Sequence, residues 1–157
     1  MAQEEISLHG TCISVGGEGV LLLGEPGSGK SDLALRLIDE PGHGISDRLV
    51  RSELVSDDQV IITRRDGRLI ASSPSAIHGK LEIRGLGVVA LATQSSVPLV
   101  LAVKLQTYAG IERLPGQSTF EILGLALPLV EIDGVSASAP ARLRAALNWL
   151  KQPDRGL

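Results

Sequence analysis

Several common protein classes are closed to this chain by what it lacks. One cysteine, Cys12, among 157 residues leaves no internal disulfide and no cysteine-rich zinc site, so a small buried filler is its expected role. Aromatic residues make up only 2% against 43% hydrophobic, so the core must be aliphatic, built from Leu, Val, Ile and Ala. There is no basic excess: the formal charge is −3, which argues against a nucleic-acid-binding surface. No apolar run approaches the ~18 residues of a membrane span. The start, Met1-Ala2-Gln3-Glu4-Glu5, is acidic and lacks the pattern of a signal peptide, so a cytoplasmic protein is expected. Repeats, low-complexity tracts and linkers are missing too, which predicts one domain over residues 1–157.

What is present is organised around Gly24-Glu25-Pro26-Gly27-Ser28-Gly29-Lys30-Ser31, which fits G-x-x-x-x-G-K-[ST]. Before it, Val20 to Leu23 suits a buried strand; after it, Leu33, Ala34, Leu37 and Ile38 recur at helical spacing between Asp32 and Glu40. Strand, glycine-rich turn and helix form the context in which backbone N–H groups and a helix N-terminus cradle phosphate. Lys30 would then neutralise terminal phosphates, and the Ser31 hydroxyl would ligate Mg²⁺.

Along the rest of the chain, Ile6 to Val15 reads as one strand carrying His9-Gly10, turned by Gly16-Gly17-Glu18-Gly19 into the strand before the phosphate loop. A lone histidine such as His9 is more often structural than catalytic. Pro41-Gly42-His43-Gly44 ends the first helix. Glu53-Leu54-Val55-Ser56-Asp57-Asp58 is either a strand delivering two acids at its C-terminal end or a surface Asp-Asp turn. Val60 to Thr63 and Leu69 to Ser72 flank Asp66-Gly67 as a hairpin, with the neighbouring arginines solvated. Glu82 and Arg84 fall two apart on one strand face, to hold a metal and a phosphate or to pair with each other. Val97 to Leu105 is a long apolar strand, and Gln106 to Ser118 reads as loop. Leu123 to Ile132, broken by Pro128, suits an edge or bent strand. A closing amphipathic helix follows, with Ser138 as N-cap, Pro140 in its first turn, Leu143, Ala146, Leu147 and Leu150 as its stripe, and Arg142, Arg144 and Lys151 in solvent or facing a partner's acids.

Four of these stretches together resemble the catalytic domain of HPr kinase/phosphorylase: His9-Gly10, the phosphate loop, Leu54-Val55-Ser56-Asp57-Asp58, and Leu81-Glu82-Ile83-Arg84-Gly85-Leu86-Gly87-Val88-Val89. The last is the most specific, since E-I-R-G-L-G is a signature of that family. The resemblance implies an α/β P-loop nucleotide-binding fold of the phosphoenolpyruvate-carboxykinase-like type, a mixed sheet with a hairpin and flanking helices. It implies an ATP- and Mg²⁺-dependent kinase that phosphorylates a serine of HPr, the phosphocarrier of the bacterial sugar phosphotransferase system, with phosphorolysis of the product at the same site. It also implies a homo-oligomer.

By the same resemblance Asp57 accepts the serine proton, Lys30 is the phosphate-loop lysine, His9 is the histidine of the catalytic group, and Ser31 and Glu82 hold Mg²⁺, with Asp58 beside them; on physical grounds His9 would orient or charge-balance Asp57. Two features depart from the pattern. The chain starts almost at the catalytic segment, like the short form found in some proteobacteria. The family's P-G-R-N-like segment, whose arginine takes part in catalysis, is replaced by Ser138-Ala139-Pro140-Ala141-Arg142-Leu143, with Arg113 and Arg142 as the two candidates to substitute, neither of them assigned. The rival expectations are a small-molecule kinase on the same phosphate site and a non-catalytic ATP sensor.

Overall fold

The computed structural model describes residues 4–152, so the first three residues of the acidic start lie outside it. A hairpin pair opens the phosphate-site half: β2 (Thr11–Val15) runs antiparallel to β3 (Glu18–Leu23), which feeds the loop and helix α1 (Lys30–Asp39). On its other side β2 pairs antiparallel with β4 (Ser52–Ser56), so β3 and β4 point the same way. The long strand β9 (Ser96–Leu105) lies parallel to β3 on one flank. Its other flank is divided: β6 (Arg68–Ser72) takes the first residues, and β11 (Leu125–Ile132) runs parallel to the last ones. Beyond β6 lie β5 (Gln59–Arg65) and then β1 (Glu4–His9). Beyond β11 lies β10 (Ser118–Ile122), and β7 (Lys80–Ile83) with β8 (Gly87–Ala90) forms a separate ribbon.

Alternation along β3 and β9 explains why both are nearly continuous apolar runs: each face is buried, against a different partner. Val20, Leu22, Leu101 and Val103 face α1 and the closing helix α2 (Ala139–Leu150), meeting Leu33, Leu37, Leu143 and Leu147. Leu21, Leu99 and Ala102 face the other way, into the concave side of the curled sheet with Cys12, Val55, Val60, Ile62 and Leu69. The core is aliphatic, as the composition requires, and each fully buried leucine contributes about 1.5–3 kcal/mol by leaving water. Cys12 is fully buried, and that burial pushes its thiol pKa up, so it is an inert filler.

The structure corrects the expected elements at several points. Ile6 to Val15 is two strands on different walls of the sheet, with β1 pairing β5 and β2 pairing β3 and β4. Gly10 makes the crossing: a Cβ there would lie 3.0 Å from the Leu22 carbonyl oxygen, and its N–H donates to the Asp58 carbonyl at 3.1 Å. Glu82 and Arg84 do not share a strand face, because β7 ends at Ile83 and the chain turns at Arg84–Leu86 into β8. Residues 118–122, of which Ser118 is expected to close a loop and the rest carry no expectation, form β10, closed onto β11 by a turn at Leu123 (φ 51°) and Gly124 (φ 78°).

Pro128 pairs only with Thr119 of β10, and β9 joins only from Leu129 onward, so the proline sits where β11 has one neighbour. Ser138 is the N-cap residue of α2, but its hydroxyl makes no capping bond and instead accepts from Arg142 Nε at 2.8 Å. Besides Arg142, two more arginines expected in solvent are engaged. Arg64 Nη1 donates to the Leu123 carbonyl at 2.8 Å, and Arg144 is buried under the end of α1. His78, with no partner foreseeable from sequence, has its ring nitrogens 2.9 Å from Ser73 Oγ and 3.3 Å from Thr93 Oγ1.

Candidate active site

Because β3, β4, β9 and β11 share one direction, the segments leaving their C-terminal ends meet at one edge of the sheet. Those segments are the phosphate loop, Asp57-Asp58, the Gln106 loop and the turn after Ile132. Gly24 to Gly29 curl back between β3 and α1, with the Ser28 N–H donating to the Glu25 carbonyl at 3.0 Å. Gly29 is the N-cap residue of α1 in the left-handed region (φ 101°), a conformation that glycine adopts without strain, and no side chain caps the helix. The first-turn N–H groups therefore remain free to meet an anion, assisted by the helix dipole. Lys30 is 9% exposed, and its Nζ donates to the carbonyls of Gly24 at 2.8 Å and Glu25 at 3.2 Å. The ammonium is thus already bent over the loop it would serve.

Asp57, just past the end of β4, is 7% exposed and has two hydroxyl partners. Thr11 Oγ1 and Ser31 Oγ both donate to its Oδ1, each at 2.8 Å. Both bonds fall on one oxygen, which leaves Oδ2 with no partner among the described residues and no seal from solvent. Asp58 points elsewhere. Its backbone is left-handed (φ 72°), which swings its side chain outward to His9, whose Nδ1 lies 3.4 Å from Asp58 Oδ1. The ring of His9 is thus paired with Asp58 and not with Asp57, in contrast to the expected charge-balancing of Asp57.

These groups line one cavity of about 540 Å³, within the range of small-ligand sites. His9, Thr11, Gly27, Gly29, Lys30, Ser31, Asp57, Asp58, Glu82, Arg84 and Val135 contribute to it. Glu82, on β7, is exposed and reaches the cavity from the ribbon, as does Arg84 from the ribbon's turn. Glu82 and Arg84 do not pair: the ion pairs among the described residues join His9 to Asp58, Arg36 to Asp32 and Lys151 to Glu18. Gly24, Glu25, Pro26 and Ser28 complete the loop itself. Neither Arg113 nor Arg142 lines the cavity; the arginine that does is Arg84. Arg142 stacks over Tyr108, 5.3 Å from the ring centroid.

Among the contributors that escaped sequence reasoning, Asp32 and Leu35 on α1 included, two stand out. Thr11 is one, although its place two residues after His9 is a usable signal once the crossing at Gly10 is known. Val135 is the other: 74% exposed, it stands at the mouth of the cavity on a turn held by Arg36, which donates to the carbonyls of Gly134 and Ser136.

The donor set fits Mg²⁺. Ser31 commits its proton to Asp57 and so keeps its oxygen lone pairs available, and Glu82 supplies a carboxylate to the same space. No group of three or more His, Cys, Asp or Glu among the described residues could hold a metal alone. One or two protein oxygens plus substrate phosphates is the usual protein share of a Mg²⁺ site. No helix among the described residues is long and apolar enough to cross a membrane.

Residues 1–143 match the family described as HPr Serine kinase C-terminal domain. The chain is 35% identical over 132 residues to the HPr kinase/phosphorylase of Clostridium botulinum (strain Eklund 17B / Type B), covering 83% of this chain and 40% of that protein. It is 39% identical over 139 residues to the HPr kinase/phosphorylase of Chlorobaculum tepidum, covering 84% and 38%. The chain thus spans about two fifths of the length of the curated relatives it matches. Among solved structures, the Hpr(Ser) kinase/phosphatase from Coxiella burnetii superposes with a TM-score of 0.76 at 25% identity, over 91% of this chain and 89% of that one.

Proposed function

Since this chain belongs to the HPr serine kinase C-terminal domain family, we propose that it transfers the γ-phosphoryl group of ATP to a serine of an HPr-like phosphocarrier. Residues 1–157 would act as one catalytic domain in the cytoplasm, within a homo-oligomer, and phosphorolysis of the seryl-phosphate would use the same groups in reverse. The observation that carries the reading is the Asp57 carboxylate, buried beside the phosphate loop and tied to Ser31 at 2.8 Å. Asp57 is held on one oxygen and open on the other, as a positioned proton acceptor must be.

In the proposed mechanism the loop amides of Gly27 to Ser31 and the start of α1 hold the ATP phosphates. Lys30 exchanges its bonds to Gly24 and Glu25 for phosphate oxygens and offsets charge that develops during transfer. Ser31 and Glu82 would hold Mg²⁺, which when bound supplies further charge neutralisation to the phosphates. Asp57 Oδ2 accepts the proton of the incoming serine hydroxyl while Thr11 and Ser31 fix Oδ1. A carboxylate is a weak base at neutral pH, so its alignment matters more than its basicity. His9, paired with Asp58, borders the path by which the acceptor serine approaches and orients that side of the site.

Incubation with γ-labelled ATP, Mg²⁺ and HPr tests this reading. Labelled phosphoserine on HPr is the expected product. Consumption of a small metabolite without protein labelling would instead identify a small-molecule kinase, and ATP binding with no transfer would identify a sensor.

A further inference from the structure

At the opposite end of the sheet, against the β2–β3 turn, lies a second cavity of about 550 Å³. Its floor is Arg144, 6% exposed, reaching back from α2. One amino group, Nη2, donates to the carbonyls of Leu37 and Glu40 at the end of α1, and Nη1 has no acceptor among the described residues. The walls carry Arg48, Arg51 and His43, whose side chains have no hydrogen-bond or ion-pair partner among the described residues. Their loop is nevertheless ordered. Gly42 and Val50 exchange backbone bonds at 3.0 and 2.9 Å, and Ser46 Oγ donates to the His43 carbonyl at 3.0 Å.

Two carboxylates line the same space, but Glu18 is held by Lys151, so among the lining groups Glu53 is left to oppose the cations, while the Glu40 charge acts on Arg144 from behind. Guanidinium groups with free N–H donors lining one concave surface are the recognition chemistry of a tetrahedral oxyanion. In a chain of net charge −3 such a local cationic concentration is also a departure from the average surface.

We propose that this cavity is a second anion-binding site, in which Arg48, Arg51 and Arg144 hold a phosphate group, either inorganic phosphate or a small phosphate ester. The site lies at the far ends of the two elements that deliver the catalytic groups. Arg144 grips the last turn of α1, whose first residue is Lys30, and Arg51 precedes β4, which ends beside Asp57. It stands independently of the transfer reaction proposed above, since none of its residues lines the phosphate-loop cavity.

Residue-resolved NMR titration of the ¹⁵N-labelled chain tests it, with inorganic phosphate in one arm and glycerol phosphate in another. Saturable shifts are expected at residues 43–51 and 148, with a dissociation constant of their own, separate from shifts at residues 24–31. Tighter binding of the ester names an organic phosphate as the ligand; equal binding names inorganic phosphate. The Arg48→Ser/Arg51→Ser double variant should weaken the first set about 10-fold or more and leave the second unchanged, which also shows that the variant is folded. Glu53→Gln should tighten the first set. Shifts confined to residues 24–31, a drift at 43–51 that sodium chloride of equal ionic strength reproduces, or full saturation in the double variant would each overturn the proposal.

Discussion

Two cavities of nearly equal size, about 540 and 550 Å³, sit at opposite ends of the same strands and the same helix, yet they are built on different principles. At the phosphate-loop end the groups on β2, the loop and β4 are buried and bonded to one another: Asp57 to Thr11 and Ser31, Lys30 to two loop carbonyls. At the far end Arg48, Arg51 and His43 stand on an exposed loop without partners among the described residues, above one buried arginine. The first arrangement fixes atoms before a ligand arrives, which suits chemistry, where misplacement by an ångström is costly. The second leaves charges free to gather around whatever anion enters, which suits binding alone. Function should therefore be concentrated at one end and structural dependence at the other.

Substitutions that separate activity from stability sharpen or break that contrast. The largest effect is expected for Lys30→Ala, which should lower kcat for HPr phosphorylation on the order of 10²–10³-fold, read by steady-state transfer. Arg144→Met at the far end should act on stability. It strips the donor from the Leu37 and Glu40 carbonyls and should cost about 1–3 kcal/mol in urea unfolding, with kcat per folded molecule unchanged. Thr11→Val removes one of two donors to Asp57 and should cost about 0.5–1.5 kcal/mol, with a fall in kcat that Ser at the same position restores. Glu18→Gln, which breaks the exposed pair with Lys151, should change stability by less than about 1 kcal/mol. Loss of activity in Arg144→Met comparable to that in Lys30→Ala would erase the distinction between the two ends.

What could be read in the sequence follows the range of the interactions involved. The phosphate loop is legible because its glycines, Lys30 and Ser31 are consecutive and its flanking strand and helix have clean periodicity. The hairpin at Asp66-Gly67 is legible for the same reason, both residues having positive φ (52° and 74°) in a turn that favours them. The β10–β11 hairpin is hidden because its turn places Leu123 in the left-handed region, where leucine gives no turn signal. Arg144 follows Leu143 on a helix whose stripe predicts burial for the leucine only. Its partners are carbonyls 107 and 104 residues away, which periodicity cannot see. The different settings of Asp57 and Asp58 are hidden likewise, since they depend on the left-handed backbone of the second and on Thr11, 46 residues distant from the first.

The most direct test of the account is a paired measurement on Asp57→Asn: the dissociation constant for ATP with Mg²⁺, and the rate of phosphoryl transfer to HPr. An acceptor of the serine proton, held in place by Ser31 and Thr11, predicts ATP affinity within about 3-fold of the unaltered chain and transfer reduced on the order of 10²–10⁴-fold. Affinity and transfer falling together would contradict it, and would make Asp57 a part of the nucleotide cradle instead.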